Sequence, residues 1–452
     1  MRVLIVTAGS LGDVAPYTGL GARLRDAGHR VAVAAPGPYA DLVSGAGLEF
    51  RPIAGDLSAL RAATAGRHRS WPVPGAPGLV DFVRLGGRFV GDLGTGIATA
   101  AGAGTDVLLL SSTTAPLGYS VAQYHRIPSL GVFLQPTSPT GAFPPVVLGV
   151  RSLGRWGNRL AGRLGRLLAD RVYADASRRL RDLLGLPPVG LGSLQRRATA
   201  DGWAVQHGFS PTVLPRPPDW PAGLDVVGYW WPLTDAGWRP PADLVDFLAA
   251  GPPPVYVGFG SLADTGNGLH RLVVGALRRA GVRGVLQGLD GAGAGAVPGE
   301  DGAGAGVFQG PEGAEAAVLR GPAGAGAGAG GLREPDVFTV GDVPHDWLFP
   351  RMAALVHHAG CGTTAAGLRA GVPAVPVPIL ADQPFWAARL AALGVGPAVL
   401  PFRRLDEARL ADAIRAAVAG PDFRHRSRRL ADRLSTEDGA GAVVAAVDRL
   451  AR

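Results

Sequence analysis

Two adjacent histidines stand at the start of a glycine-rich turn in the second half of the sequence. The apolar residues 352–356 predict a short buried strand, which runs directly into His357 and His358. The turn follows, and residues 365–370 then predict a helix. The first N–H groups of a helix lack internal partners, and its positive dipole end favours an anion. The segment therefore predicts a phosphate-binding site, to which a histidine adds a further donor.

Four loops of the second half follow predicted strands and should lie together. The strands are predicted at 255–257, 337–340, 353–356 and 374–378, and the loops after them are 258–261, 341–346, 357–364 and 380–383. In a parallel sheet such loops emerge at one edge, where ligands bind. This convergence brings His358, Thr363, Asp382 and Gln383 into one crevice. His357 abuts the apolar strand, so we interpret it as structural.

The first half begins with a strand–helix–strand pattern. A strand at 3–7, a loop at 8–16, a helix at 17–27 and a strand at 30–35 predict a parallel βαβ unit, with further strands at 106–110 and 129–134. Asp13 lies in the first loop. At this point it could be a helix cap or a catalytic acid. If the two sheet edges face each other, Asp13 points across the cleft.

The order of elements predicts an α/β protein of two domains, each with a mostly parallel sheet. We predict a first domain at 1–224, a linker at 225–240 and a second domain at 241–435. Residues 436–452 are expected to form a C-terminal helix that packs back on the first domain. The Gly-Ala-rich tract at 290–332 is expected to be a flexible surface insertion.

Composition narrows the class of protein further. The chain has 452 residues, a hydrophobic fraction of 47% and one cysteine, Cys361, so an internal disulfide is excluded. We find no long apolar window and no clear signal peptide, and we expect a cytoplasmic protein. All 44 basic residues are arginine. This bias is typical of a GC-rich, actinobacterial genome, and we predict no nucleic-acid partner despite the net charge of +8.

Several segments resemble one known family. The segment 343–351 (VPHDWLFPR), the turn HHAGCGTTAAGLRAGVP and the segment 381–386 (ADQPFW) closely resemble the C-terminal signature of family 1 glycosyltransferases. The similarity is to the branch of sterol 3-β-glucosyltransferases and antibiotic glycosyltransferases. GSLGDVAP near the N-terminus, GAGLEFRPIAGD at 45–56 and LQPTSPTGAFP at 134–144 are similar to the same branch. The resemblance covers nearly the whole chain except the Gly-Ala tract.

This resemblance implies a GT-B fold, in which two Rossmann-like domains face each other, with the acceptor on the first domain and the donor on the second. It favours transfer of a hexose from UDP-glucose, with a dTDP-deoxysugar as the open alternative, to a sterol, lipid or polyketide hydroxyl. A base and a leaving group on opposite faces of the sugar predict inversion, and the sequence contains no Asp-x-Asp motif, so we predict no metal or other cofactor. Asp13 would be the general base, and Asp382 with Gln383 would bind the donor sugar. Val343 would contact the nucleotide base. The donor diphosphate would be held by Ser10, Ser261, His358, Gly360, Gly362 and Thr363.

The sequence departs from the family pattern in the phosphate turn. The usual HHGGAGT reads HHAGCGT, so Ala359 and Cys361 replace smaller residues. Ala359 would be strained if the turn needs a positive φ there. Asp342 stands where plant members place a base-stacking tryptophan.

The span 151–181 has several interpretations. It contains nine arginines, with Leu153, Trp156, Leu160, Leu164 and Leu167 at helical spacing. We favour an ordinary amphipathic helix with a solvated basic face. The alternatives are an apolar lining for a hydrophobic acceptor, or a weak peripheral contact with the inner face of an anionic membrane.

Two other functions fit part of the sequence. Residues 360–365 satisfy the dinucleotide fingerprint G-x-G-x-x-A, with Asp382 in the place of a ribose-binding acid, as in an NAD-dependent oxidoreductase. A catalytic Tyr-x-x-x-Lys is impossible in a chain without lysine. The other alternative is a catalytically silent auxiliary protein that binds sugar nucleotides.

Overall fold

The structure is a computed structural model that describes residues 1–54, 87, 89–146, 151–235, 237–260, 267–289, 335–379 and 381–450. Two candidate features of the sequence, Ser261 and the tract 290–332, lie outside the described residues. In the described part, two parallel sheets are each covered by helices, so the predicted α/β class is confirmed.

The first sheet has seven parallel strands in the order β3-β2-β1-β4-β5-β6-β7. Apolar side chains on both faces of β1 and β4 are buried, as expected for a sheet covered on two sides. The strand order reverses between β1 and β4, and ligands of open parallel sheets bind at such a point. The strands are β1 (Arg2–Val6), β2 (Arg30–Pro36), β3 (Glu49–Ile53), β4 (Val107–Leu110), β5 (Ser129–Phe133), β6 (Val205–His207) and β7 (Leu224–Val226).

The helices that accompany this sheet are α1 (Leu11–Asp26), α2 (Ala40–Gly45), α3 (Leu93–Gly102), α4 (Ala115–His125), α5 (Gly154–Leu183) and α6 (Leu191–Ala200). The loop predicted at 8–16 is wrong, because α1 already begins at Leu11. Pro16 lies inside this helix. Ser10 and Asp13 form a capping box that begins α1.

The second sheet has five parallel strands in the order β10-β9-β8-β11-β12, so its order reverses between β8 and β11. The four strands predicted in the second half correspond to β8, β10, β11 and β12, whereas β9 was not predicted. The strands are β8 (Val255–Gly258), β9 (Gly284–Gln287), β10 (Val337–Val340), β11 (Ala354–His357) and β12 (Ala374–Pro376).

Eight further helices complete the described chain: α7 (Ala242–Ala249), α8 (Asn267–Ala280), α9 (His345–Leu348), α10 (Cys361–Ala370), α11 (Gln383–Leu393), α12 (Glu407–Ala419), α13 (Pro421–Leu434) and α14 (Gly439–Leu450). The start predicted for α10 at residue 365 is four residues late. Helix α14 returns to the first sheet, where Val443 and Val447 join the core formed by α1 and β1. In the described part of the chain, none of the helices is long and apolar enough to cross a membrane.

A separate apolar cluster joins the two domains. Phe209 and Trp220, from the end of the first domain, and Tyr229, in the predicted linker, pack with Trp386 of α11 and with Ala359. The turn that precedes α10 is therefore part of the packed interface between the domains.

Candidate active site

The imidazole of His358 lies between two glycines at the point where the second sheet reverses its order. A Cβ on Gly360 would lie 2.4 Å from Nε2 of His358, and a Cβ on Gly260 would lie 3.1 Å from Cε1. Gly260 follows β8 and Gly360 follows β11. The ring therefore occupies the crevice that the converging loops were predicted to form. Burial lowers the pKa of His358, and the backbone carbonyl of Gly258 opposes that shift.

Helix α10 begins directly beside this ring. Gly360 is its N-cap residue, and Gly362 and Thr363 lie in its first turn. The first N–H groups of a helix have no intrahelical acceptor, and the dipole adds partial positive charge there. Gly362 is exposed and Thr363 is half-buried. The arrangement suits an anion bound between the helix terminus and His358.

His357 and His358 differ in their surroundings, as the sequence predicted. His357 is fully buried, and its Nδ1 accepts a 3.1 Å hydrogen bond from the amide of Ala359. Burial lowers the pKa of His357 to about 3, with the neighbouring histidines as smaller contributions. This side chain is therefore neutral near pH 7 and fixes the turn, whereas His358 borders the crevice.

Ala359 has a φ of 62°, the left-handed region that glycine prefers. Its methyl group is fully buried in the cluster between the domains. The strain that the sequence suggested is therefore present. The apolar contacts of the methyl group offset part of it.

Asp13 belongs to the cap of α1 and also faces the second domain. Its Oδ2 accepts hydrogen bonds from the amide of Ser10 at 2.8 Å and from the hydroxyl of Ser10 at 2.7 Å. A Cβ on Gly9 would lie 2.5 Å from the same oxygen, so only glycine fits there. Asp13 therefore acts as a helix cap, and the same contacts hold its carboxylate at the carboxyl edge of the first sheet, where a catalytic acid or base would lie.

Asp382 is tied to the first domain. Gln135, just beyond β5, donates from Nε2 to Oδ2 of Asp382 at 2.8 Å, and its Oε1 accepts from the indole of Trp386 at 3.2 Å. Burial raises the pKa of Asp382, the bond from Gln135 opposes the shift, and the charge of Asp13 adds to it. The two aspartates therefore interact across the domain boundary.

Cys361, in the first turn of α10, also lies close to the first domain. Its Sγ lies 3.7 Å from the carbonyl oxygen of Leu134 in the first domain. Burial raises the pKa of its thiol well above the ordinary value, and the charges of Asp382 and Asp13 add to this. The first turn of α10 and both aspartates thus share one small region.

Gln383 occupies a different position from Asp382. Its Oε1 accepts a 2.8 Å hydrogen bond from the amide of Ile379, and the side chain is only 4% exposed. In this structure the carboxamide holds the loop before α11. Its sugar-binding role stays a prediction.

Val343 lies at the other end of the crevice and is buried. Beside it, the hydroxyl of Tyr256 donates to Oε1 of Gln287 at 2.6 Å, and Nε2 of Gln287 donates to the carbonyl of Gly341 at 3.1 Å. Burial lowers the pKa of His345 to about 4. These polar groups border the region where a nucleotide base was predicted.

Comparisons with known proteins identify the family. Residues 314–450 match the family described as erythromycin biosynthesis protein CIII-like, C-terminal domain. The chain is 35% identical over 458 residues to O-mycaminosyltylonolide 6-deoxyallosyltransferase of Streptomyces fradiae, covering 97% of this chain and 95% of that protein. The chain belongs to the antibiotic and sterol glycosyltransferase family.

Sterol enzymes are among the relatives of this glycosyltransferase. It is 32% identical to a sterol 3-beta-glucosyltransferase of Arabidopsis thaliana over 98% of this chain, which spans 65% of that protein's length. A Cryptococcus neoformans sterol 3-beta-glucosyltransferase is 31% identical, and the chain spans 27% of it. These sterol enzymes are therefore considerably longer than the chain.

Solved structures show the fold of this glycosyltransferase. The glycosyltransferase of kitacinnamycin matches with a TM-score of 0.66 at 19% identity, over 99% of this chain and 98% of that one. A Streptomyces sp. SF2575 glycosyltransferase complexed with thymidine diphosphate matches with a TM-score of 0.62 at 21% identity, over 99% of both chains. The GT-B prediction is confirmed, and the family excludes the oxidoreductase alternative.

The sequence missed two polar residues of the glycosyltransferase crevice. Gln135 follows β5 at the same sheet edge as Asp13, so its position after a predicted strand was the available signal. Gln287 ends β9, a strand that was not predicted. Within the described residues, no group of three or more His, Cys, Asp and Glu side chains is arranged to hold a metal ion. Metal independence stays a prediction.

Proposed function

We propose that this glycosyltransferase moves a hexose from a nucleoside diphosphate sugar to a hydroxyl of a hydrophobic acceptor, with inversion and without a metal ion. The observation that supports this most is the contact of the two sheet edges, where Gln135 donates to Asp382 at 2.8 Å and Cys361, in the first turn of α10, lies 3.7 Å from the carbonyl oxygen of Leu134. A base, a sugar-binding carboxylate and an anion site are the groups that transfer from a diphosphate needs.

In the proposed reaction, Asp13 accepts the proton of the acceptor hydroxyl. The acceptor oxygen then forms a bond to the anomeric carbon, and the bond from that carbon to the diphosphate breaks with its electron pair on the leaving oxygen. The capping bonds from Ser10 hold the carboxylate in one orientation. Because the base lies on the first domain and the leaving group on the second, the acceptor oxygen attacks one face of the sugar and the diphosphate departs from the opposite face. An α-linked donor would therefore yield a β-glycoside.

The leaving diphosphate would be stabilised by the start of α10 and by His358. Burial lowers the pKa of His358 and so disfavours its cationic form, and its imidazole would donate a hydrogen bond to the diphosphate. Amides of Gly360, Gly362 and Thr363 would supply further donors, together with Ser261. The amide and hydroxyl of Ser10 both donate to Asp13 in this structure, so its part in diphosphate binding stays a prediction. Such preorganised donors can replace a bridging metal ion.

Selection of the donor would depend on the residues that contact its sugar and on those that contact its base. Asp382, Gln383 and Gln135 would contact the sugar, and Val343 the base. The sterol 3-beta-glucosyltransferases among the relatives support glucose as the sugar, and UDP is the carrier that we propose for it. The deoxyallosyltransferase and the thymidine diphosphate complex support a dTDP-deoxysugar as the alternative. The proposed acceptor is a sterol, a lipid or a polyketide-type natural product.

A donor panel tests the proposal. The purified protein is incubated with UDP-glucose, dTDP-glucose and a dTDP-6-deoxyhexose, each with a sterol, a macrolide aglycone or no acceptor, and with excess EDTA throughout. Nucleotide release and product mass are measured, and the anomeric configuration is read by NMR. We expect acceptor-dependent release and a β-glycoside that EDTA does not suppress.

Three results would contradict specific parts of the proposal. Nucleotide binding without transfer to any acceptor would favour the catalytically silent auxiliary protein. An α-glycoside from an α-linked donor would exclude inversion. Loss of activity in EDTA, restored by Mg²⁺ or Mn²⁺, would exclude metal independence.

A further inference from the structure

Helix α5 exposes a row of large apolar side chains along its N-terminal half. Trp156, Leu160, Leu164 and Leu167 follow each other at spacings of four, four and three residues, which places them on one helix face. Their exposed fractions are 85%, 59%, 57% and 60%. We call these four residues the α5 ridge. An ordinary amphipathic helix, the interpretation that the sequence favoured, would bury this row.

The other side of α5 is anchored to the first domain. Asn158 is buried and donates from Nδ2 to the carbonyl of Gly141 at 3.3 Å. A Cβ on Gly162 would lie 3.0 Å from Cβ of Pro139, so the helix lies close against that loop. These contacts fix the rotation of α5 and leave the α5 ridge on its outer side.

A row of arginines runs beside the ridge. Each ridge residue is preceded by one of Arg155, Arg159, Arg163 and Arg166. Arg159 pairs with Asp219 at 2.5 Å and belongs to the anchored side. Arg155 and Arg163 are exposed, and Arg166 donates to Gln195, a neutral side chain. Residues 151–169 contain no Asp or Glu, so the acidic groups beside these arginines come from outside the stretch, with Asp219 at Arg159 and Asp170 near Arg166.

We propose that the α5 ridge docks on a membrane surface that contains anionic lipid. A helix with tryptophan and leucines on one face and arginines beside them lies at the interface between headgroups and acyl chains, and anionic lipids strengthen its binding. A twofold contact with a second copy is disfavoured, because it sets the same patch against itself and brings the arginine rows together. This inference goes beyond the proposed function and does not depend on it.

Liposome co-sedimentation tests the docking surface with the whole protein. Vesicles of phosphatidylcholine alone are compared with vesicles containing 30% phosphatidylglycerol, at low and at high salt. We expect binding to the anionic vesicles that falls at high salt. Two variants separate the contributions of charge and apolar contact: Arg155→Gln with Arg163→Gln, and Trp156→Ser with Leu164→Ser. Each should weaken the apparent lipid affinity by about 10-fold or more.

The matched control is Arg428→Gln with Arg429→Gln, which removes the same charge from exposed positions on α13 of the second domain. This control should bind the vesicles like the wild type. Circular dichroism and the thermal midpoint of each variant establish that it is folded. The inference is overturned if the wild type stays in the supernatant, or if all three double variants bind equally. It is also overturned if light scattering shows a dimer that the Trp156→Ser, Leu164→Ser variant dissociates.

Discussion

The side-chain amide of Gln135 donates a 2.8 Å hydrogen bond to Oδ2 of Asp382, and this bond joins the two domains at their facing sheet edges. The other end of the same carboxamide accepts from Trp386. Both partners lie at the start of α11. A residue of the first domain therefore positions the carboxylate that we propose binds the donor sugar.

Replacing Gln135 with alanine should weaken donor use. The change leaves a half-buried carboxylate without one of its donors, and hydrogen bonds to charged groups contribute about 1.5–3 kcal/mol. We expect the KM for the donor to rise about 10-fold or more, with a smaller effect on kcat. Because the Gln135 bond opposes the raised pKa of Asp382, its loss should also move the acid limb of the donor kcat/KM profile to higher pH.

The matched control for this change is Gln195→Ala. Gln195 lies on α6 and pairs with Asp170 and Arg166, away from the crevice. It should leave the donor KM and the pH profile as in the wild type. A Gln135→Ala enzyme with an unchanged KM and an unchanged acid limb would show that the interdomain bond has no part in donor binding.

Removing the imidazole of His358 should weaken nucleotide binding. The ring borders the start of α10, where we propose that the diphosphate lies. We expect His358→Ala to raise the Kd of the nucleoside diphosphate about 10-fold, as measured by isothermal titration calorimetry. His425→Ala, at an exposed position on α13, is the control and should bind the nucleotide normally. Equal affinities in the two variants would exclude His358 from the diphosphate site.

Acid should destabilise the protein before its carboxylates titrate. Burial lowers the pKa of His207 and of His345 to about 4 and that of His357 to about 3. A histidine in the unfolded chain has a pKa near 6.5, so below that pH the unfolded chain binds more protons than the folded protein. The free energy of unfolding therefore decreases as the pH is lowered from 6.5 to 5, by up to about 2 kcal/mol per histidine. Urea midpoints at pH 7.5, 6.5 and 5 measure this. A midpoint that is unchanged at pH 5 would contradict the prediction.

Strain at Ala359 should make its replacement by glycine nearly neutral. Glycine relieves a left-handed conformation that costs alanine about 1–2 kcal/mol, but it loses a buried methyl worth about 0.8 kcal/mol and gains unfolded-state entropy. The control, Ala365→Gly, removes a methyl from the same apolar cluster at an unstrained helical position. It should lose roughly 2 kcal/mol. Equal losses in urea unfolding would show that Ala359 stores no strain.

The sequence predicted those parts of the fold that depend on local patterns. Short apolar runs indicated β8, β10, β11 and β12, with glycines after the first three, and the parallel arrangement then predicted one crevice at their carboxyl edge. Strand β9 was missed, since its four residues contain Gly284 and Gln287 and give a weak apolar pattern. The start of α1 at Leu11 was missed, although Ser10 and Asp13, three residues apart, have the spacing of a capping box.

Contacts between the domains were beyond local prediction. Gln135 and Asp382 are far apart in the sequence, and only the packing of the two domains decides that they meet. At Ala359 the family pattern has glycine, so the sequence predicted strain there only if the turn needs a positive φ. The φ of Ala359 is positive in the structure. The orientation of Gln383 toward Ile379 depends on a tight loop whose geometry the sequence does not determine.

The most direct test of the account compares Asp13→Asn with the wild type in two assays of the same preparation. Asparagine keeps a side-chain oxygen that can accept the capping bonds of Ser10, so the helix start is preserved while the base is removed. Sugar transfer is measured with the donor and acceptor found in the panel, and nucleotide affinity by calorimetry. We predict a loss of transfer of about 100-fold or more with an unchanged Kd for the nucleotide. Transfer at the wild-type rate would contradict the assignment of Asp13 as the base.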